Sequence, residues 1–296
     1  MTTTPSVGEF GEEAEREPKD LGKTKMKTDL GDPFSYAVIG CAMETHRELG
    51  PGVDERFYHA LLSIKLSSKG ISHRSRAREQ LVHRGTVADT FEADLLFPEK
   101  LAAELKHLRG GFMPEHYVQL LCYLKFWSLP VGLLFDFGKD SLLHRRVNHP
   151  PSEFAPPSCH QLLEGAPEFG ADQIVAESMC EAICRVAAHY EGGYRDTTYR
   201  GLLAAEFAAE KMTCTSLPLA PVSAGGQSLG ETRCDCLTVG DNKFALLVLA
   251  LRETLTATDV ATLRTYARLL GIPFGLVLNF GHNRLDHTWL RSRACQ

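Results

Sequence analysis

The 296-residue chain has no uninterrupted apolar run near membrane-spanning length. Its most apolar stretch, Phe244–Leu251, falls far short of the roughly 20 residues a spanning helix requires. Residues 1–33 are polar and charged, with no apolar segment of signal-peptide length, which points away from secretion. The nine cysteines contain no CxxC spacing, so neither a disulfide framework nor a zinc finger is written into them. Nor is there an excess of positive charge: the formal net charge of −5 argues against indiscriminate binding to nucleic acid. What remains is a chain with 44% hydrophobic residues, enough to build real cores. A soluble cytoplasmic protein with reduced thiols and no membrane partner is the expectation.

The charge is unevenly spread. Residues 34–150 form the only segment with a net positive balance. Residues 1–33 mix Gly, Glu, Lys and Thr without periodicity and read as a flexible tail. The stretch 150–169 carries Pro150, Pro151, Pro156, Pro157 and Pro167, the composition of a linker. It separates two stretches of similar length, 34–149 and 170–296, and a faint repeat relates them. A shift of 141 positions lays Gly52, Tyr58, Leu61 and Leu62 over Gly193, Tyr199, Leu202 and Leu203. The same shift lays Glu55 over Asp196 and Asp94 over Asp235. Beyond a two-residue insertion near Gly240–Asp241, Lys100 meets Lys243, Tyr123 meets Tyr266, and Phe137–Gly138 meets Phe280–Gly281. The shared order of these matches reads as a tandem duplication.

In the first half, apolar residues at helical spacing predict helices over Phe34–Leu49 and Asp54–Lys69, separated by Gly50-Pro51-Gly52. Ile71–Leu81, Thr86–Leu96 and Leu101–Leu108 read as strands, Glu115–Trp127 as a helix, and Val131–Phe137 as a buried strand. That order predicts an α/β fold, a mixed central sheet covered by helices, in each half. Asp94 ends one strand, and Glu104 and Lys106 lie two apart on the next, so they share a face. If the two strands are hairpin neighbours, Asp94 reaches that face as well. Two carboxylates and a lysine there suit a hard divalent cation such as Mg²⁺ beside a phosphate. An E-x-K pair alone is more often a solvated ion pair on a strand face.

Leu49-Gly50-Pro51-Gly52-Val53-Asp54-Glu55-Arg56-Phe57-Tyr58 resembles the GPGxxExxY signature of the GxxExxY family, a branch of the PD-(D/E)XK nuclease-like superfamily. Further landmarks follow in the family's order: Asp94-Leu95-Leu96, Glu104-Leu105-Lys106, His116–Leu124, Gly132–Phe137 and Arg146-Val147-Asn148. The resemblance spans about residues 34–149. It implies two restriction-endonuclease-like (PD-(D/E)XK) domains, given the repeat, and a Mg²⁺- or Mn²⁺-dependent phosphodiester hydrolase acting on DNA or RNA. Under it, Glu55 is the helix acid, Asp94 the principal metal ligand and Glu104 the second. Lys106 positions water or stabilises the transition state, and Gln119 supports the site. Phe91-Glu92-Ala93 replaces a Tyr-Arg segment usual in the family, which touches phosphate contacts rather than the metal site.

Arg74, Arg76 and Arg78 alternate along a strand, with Lys65, Lys69 and Arg84 nearby. They form either a ridge that tracks phosphates or an edge strand kept soluble by charge. In the second half Glu104, Lys106 and Gln119 fall opposite Leu247, Leu249 and Thr262, so that half is expected to be a degenerate copy. It would pack on the first as an intramolecular pseudo-dimer. Cys180, Cys184, Cys234 and Cys236 overlie apolar positions of the first half and read as small buried hydrophobes. The alternative for the whole chain is a non-catalytic binding or scaffold protein that keeps the nuclease fold.

Overall fold

The computed structural model describes residues 32–149 and 153–292, so most of the expected tail lies outside the described residues. Helix α1 (Pro33–Leu49) starts where Asp32 Oδ1 accepts the Ser35 N–H at 2.9 Å. It stops at Gly50, whose φ of +67° suits glycine. Helix α2 (Glu55–Ser68) follows, capped by Asp54. Between them the buried Tyr58 donates its hydroxyl to Gly50 O at 2.7 Å. That bond pins the turn and fixes where α2 begins, and so where Glu55 stands. The tyrosine of the signature is thus a structural lock one turn below the acid.

The first sheet has the order β1-β2-β3-β4-β5, with β1 (Arg74–His83), β2 (Thr86–Phe97), β3 (Leu101–Lys106), β4 (Val131–Asp136) and β5 (Leu143–Asn148). Only β3 and β4 pair in parallel, and α3 (Pro114–Phe126) makes the crossover between them. Strand β5 extends the expected element order. It is a polar edge carrying Arg145 and Arg146, without the apolar run that marks β4. One face of the sheet, with Ala103, Leu105, Leu133 and Phe135, is sealed by α1 and α2.

The described part of the proline-rich stretch, from residue 153 on, packs onto the second half. Phe154, Leu162 and Phe169 are buried, and the short helix α4 (Cys159–Leu162) accepts the Trp289 indole N–H at Leu162 O, 2.7 Å away. Then the pattern repeats. Helices α5 (Gln173–Tyr190) and α6 (Asp196–Ala209) match α1 and α2. Tyr199 donates to Glu191 O at the position where Tyr58 meets Gly50 O. The strands are β6 (Cys214–Ser216), β7 (Leu219–Ala224), β8 (Gln227–Arg233), β9 (Leu237–Val239) and β10 (Phe244–Ala250). Helix α7 (Ala257–Leu270), β11 (Phe274–Phe280) and β12 (Leu285–Arg291) complete the half. The second sheet runs β12-β11-β10-β9-β6, and β7-β8 forms a separate hairpin. The long β1–β2 hairpin of the first half is therefore broken in two in the second, at Leu217-Pro218 on one strand and Cys234-Asp235-Cys236 on the other. Proline has no N–H to give a ladder, which accounts for one side of the break.

The halves join where α6 lies on the β1–β2 hairpin. Gly201 sits so close to Ala88 that an added Cβ would fall 2.0 Å from the Ala88 carbonyl oxygen, so only glycine fits. Asp89 accepts from Arg195 Nη2 at 3.0 Å and from the Thr198 hydroxyl at 2.5 Å. Glu206, fully buried, takes Arg84 Nε at 2.9 Å, Arg185 Nε at 2.7 Å and His83 Nε2 at 2.7 Å. One apolar cluster runs through both halves, joining Phe91, Leu120, Tyr123 and Leu134 to Met179, Ile183, Tyr194 and Leu202. Burial alone would raise the Glu206 carboxyl, but the hydrogen bonds from Arg84, Arg185 and His83 outweigh it and hold the pKa down to about 2.

A depressed carboxylate stabilises the fold above its unfolded value of 4.5 and loses that contribution as pH falls towards 2. Glu206→Gln is accordingly expected to cost about 2–3 kcal/mol at neutral pH, the low end for a buried pair because both guanidinium groups reach solvent. Urea melts of the two proteins should converge as pH is lowered through that window. A gap that persists at the acid end would contradict the assignment.

Candidate functional site

The site begins where β2 parts from β3. Ladder pairing runs Phe97↔Leu101, Leu96↔Ala102 and Leu95↔Ala103, then stops. The next rung would set Asp94 opposite Glu104. Instead the Asp94 carboxylate enters the ladder: Oδ2 accepts the Leu105 N–H at 2.8 Å. The Asp94 carboxylate therefore lies close to that of Glu104, whose strand neighbours Ala103 and Leu105 turn to the α1–α2 side. Glu104 is only 4% exposed. Its Oε1 accepts Lys106 Nζ at 2.7 Å, while its buried Oε2 has no hydrogen-bond partner. A buried orphan oxygen is costly unless something fills the place.

Burial, and then the neighbouring charge of Asp94, push the Glu104 pKa up to about 7 against the pull of Lys106. Glu55 stands more exposed at the rim, on the first turn of α2. Its carboxyl is also raised, by burial first and by Asp94 second, while Lys106 and His107 pull it down. The raised carboxyls and the unpartnered oxygen leave negative charge there that only Lys106 and His107 offset. Among the described residues no three His, Cys, Asp or Glu side chains stand together as a ready cage. The Asp94–Glu104 pair nevertheless fits Mg²⁺ or Mn²⁺, since such an ion is commonly held by one or two carboxylates and keeps several waters.

Gln119 projects from α3, and its Nε2 donates to the Tyr123 hydroxyl at 2.7 Å, which in turn donates to Glu92 O at 2.6 Å. Tyr123 is therefore a member of the site's wall that sequence reasoning noted only as a repeat match. His59, one turn beyond Glu55 on α2, was missed as well. Its Nε2 lies 3.0 Å from Asp94 O, and its spacing of four from Glu55 was the available signal. His116 is used elsewhere: its Nδ1 accepts the Met113 N–H at 2.9 Å and caps α3.

Arg74, Arg76 and Arg78 lie on β1, the sheet's edge, and are exposed. They do not form a regular row. Arg76 has φ +48° and falls between the paired residues Ser75 and Ala77, so the strand turns locally. Arg74 Nη1 meets Glu79 at 2.6 Å, and Arg78 approaches Glu92 at 3.9 Å.

The second half shows what becomes of the same frame without these groups. The rungs Glu104↔Leu134 and Lys106↔Asp136 correspond to Leu247↔Val277 and Leu249↔Asn279. Leu247 and Leu249 are buried among Leu263 and Ala267 of α7 together with Ala220, Cys234 and Cys236. Thr262, opposite Gln119, lies on α7 as well. The broken hairpin has folded over this face and filled it. By ladder register the Asp94 rung belongs to the buried Cys236, because Leu95↔Ala103 matches Leu237↔Leu246. Asp235, paired with Asp94 by the sequence shift, sits one place off in the bend and is bound by Arg200. Asp196 caps its neighbour Thr197 at the start of α6.

Two mixed sheets, each with a parallel central pair, a crossover helix and an acid pair or its replacement at the point of splay, define a duplicated nuclease-like fold. The sequence profile of the PD-(D/E)XK nuclease superfamily matches residues 32–148 and 173–292, and the chain belongs to that superfamily in both halves. No curated protein matches it. Among solved structures, the crystal structure of SSO0001 is similar at 14% identity over 54% of this chain and 71% of that one, with a TM-score of 0.26, a likeness too loose to carry anything further. No helix among the described residues is long and apolar enough to cross a membrane.

The Glu104–Lys106 contact can be isolated in a double-mutant cycle run at about pH 8, above the raised Glu104 value, so that the acid is ionised. Glu104→Gln and Lys106→Met are expected to couple by about 1–2 kcal/mol in urea unfolding. Additivity would mean that the pair is not formed in solution.

Proposed function

We propose that the first half is a divalent-cation-dependent phosphodiester hydrolase of the GxxExxY branch, acting on nucleic acid in the cytoplasm. The observation that carries this reading is the buried Glu104 Oε2, without a partner, on a carboxylate that lies beside Asp94 and Lys106. Asp94 and Glu104 hold Mg²⁺ or Mn²⁺, with Glu55 at the rim. Such an ion supplies Lewis-acid polarisation of a phosphoryl oxygen and makes a nearby water more acidic. Lys106, fixed by Glu104, orients the attacking water and offsets the negative charge that grows on the phosphate oxygens as the P–O bond breaks. Gln119 keeps its orientation through Tyr123 and contributes a polar group to the wall. The exposed Arg74, Arg76 and Arg78 meet backbone phosphates along the sheet edge, with Arg76 the one turned out of the ladder. Free thiols at Cys41, Cys122 and Cys180 fit a reducing compartment.

On this reading the second half does no chemistry. Leucines at the E-x-K positions can neither bind a cation nor orient water, and the hairpin occupies the space a substrate needs. Its service is structural, since Tyr194 stacks on Phe91 at 5.8 Å and Phe91 meets Tyr123 at 6.3 Å, so the second half props the wall of the first half's site.

The test is cleavage of plasmid DNA and of single-stranded RNA by the full chain with Mg²⁺ or Mn²⁺. Asp94→Ala and Lys106→Ala should each lower the rate by about 100-fold or more, and Asp235→Ala should leave it unchanged. Absence of cleavage on both substrates, or cleavage indifferent to Asp94→Ala, would leave the fold as a binding scaffold and overturn the reading.

A further inference from the structure

Three cysteines meet where α4 lies against α5. Cys180 and Cys184 are four apart on α5, so they stand one above the other on the same helix face. Cys159 opens α4, 21 positions before Cys180, and only the fold brings it there. Its Sγ donates to Glu177 O at 3.8 Å, and Glu177 stands one turn before Cys180 on that side of α5. The Cys159 and Cys180 thiols are within hydrogen-bond reach of each other, and Cys184 is close enough to interact electrostatically with both. All three belong to one apolar cluster with Leu162. Among the described residues no three His, Cys, Asp or Glu side chains are placed to hold a metal ion, so the cluster is not a metal cage.

The two closest thiols differ in access. Cys180 is fully buried, whereas Cys159 is half-buried. An open cavity of about 370 Å³ lies beside Cys159, walled by His160, Leu163, Glu164, Glu177 and Glu181. A small oxidant therefore reaches Cys159 first. Burial, and then the charges of Glu181 and Glu177, raise the Cys159 thiol above its ordinary range. Burial raises Cys180 as well. Both rest as protonated thiols at neutral pH, which keeps them reduced until an oxidant is supplied. The segment they share is the linker: α4 is a single turn, held by Leu162 in the core, while upstream the Ala155 N–H bonds Asn283 O at 2.8 Å.

We propose that Cys159 and Cys180 form a reversible disulfide in the presence of hydrogen peroxide, a covalent staple between the linker turn α4 and helix α5. The Cys159 sulfur attacks a peroxide oxygen and the O–O bond breaks. The sulfur becomes a sulfenic acid, and the departing hydroxide takes up the proton that Cys159 released, giving one water. The Cys180 sulfur then attacks the Cys159 sulfur. The S–S bond forms, the S–O bond breaks, and the hydroxyl leaves with the Cys180 proton as a second water. Two thiols have lost two electrons and the peroxide has gained them. In a reducing compartment such a bond is transient, and a dithiol returns it to thiols. While it lasts it closes the loop from Cys159 to Cys180 and restricts the unfolded chain. The proposal is independent of whether the first half cleaves nucleic acid.

The test treats the reduced full chain with about 1 mM hydrogen peroxide at about pH 8.5, where more thiolate is present. Remaining thiols are alkylated and the chain is cut after glutamate. That cleavage puts Cys159, Cys180 and Cys184 in separate fragments, 154–164, 178–181 and 182–191. Mass spectrometry should find 154–164 joined to 178–181, two hydrogens lighter than the reduced pair, and dithiothreitol should part them. Cys159→Ser should abolish the link and Cys184→Ser should keep it. Both positions are only half-buried, and circular dichroism checks that each variant is folded. Oxidation should raise the wild-type melting temperature by about 5 °C and leave that of Cys159→Ser unchanged. No link, a link from Cys159 to Cys184, a link between two chains, or a linked chain with an unchanged melting temperature would overturn the proposal.

Discussion

The first half is organised around the place where β2 leaves β3. An antiparallel ladder must either continue or find another acceptor for the N–H groups it abandons. Here the acceptor is the Asp94 carboxylate, which takes the Leu105 N–H. That one bond fixes Asp94 at the splay, next to Glu104, and leaves Glu104 buried with the half-buried Asp94 beside it. Burial then does the rest. Glu104 is held at about 7 by desolvation and by Asp94, and Lys106 compensates only one of its oxygens. Functional groups in a protein interior are commonly left in such a state.

The second half keeps the frame and loses the opening. Its β10 and β11 pair as β3 and β4 do, and its tyrosine lock is intact. Asn279 bonds the Arg252 backbone much as Asp136 bonds that of Leu108, so even the loop after the central strand is pinned alike. What differs is the hairpin. Broken at Pro218 and at Asp235, it bends over the sheet and brings Ala220, Cys234 and Cys236 onto Leu247 and Leu249. The α6 surface holds the first half. The duplicated frame thus carries an acid pair in one half and a filled apolar face in the other.

Much of this was legible in the sequence. Residues at helical spacing gave α1 and α2 nearly to their ends, and the repeat carried the same order of elements into the second half, where α5, α6 and α7 follow it. The E-x-K pair was found by the period of two on a strand. Other features depend on contacts between residues far apart in the chain, which no local pattern encodes. Asp235 matched Asp94 by spacing, yet the bend adds one residue and sends it to Arg200. The alternation of Arg74, Arg76 and Arg78 suggested a row, but the positive φ at Arg76 breaks it. Asp89, Glu206 and Gly201 carry the joint between halves and gave no sign of it, since each looks ordinary beside its own neighbours. The proline-rich stretch has a linker's composition, yet Phe154, Leu162 and Phe169 anchor it.

The central claim is that one cation site exists per chain and that it is made by the first half alone. Calorimetric titration of Mg²⁺ and of Mn²⁺ into the full-length protein tests this most directly. The account predicts binding in the wild type that is lost in Glu104→Ala and unchanged in Asp235→Ala and Asp196→Ala. Absence of binding at millimolar ion, or binding abolished by Asp235→Ala instead, would contradict it.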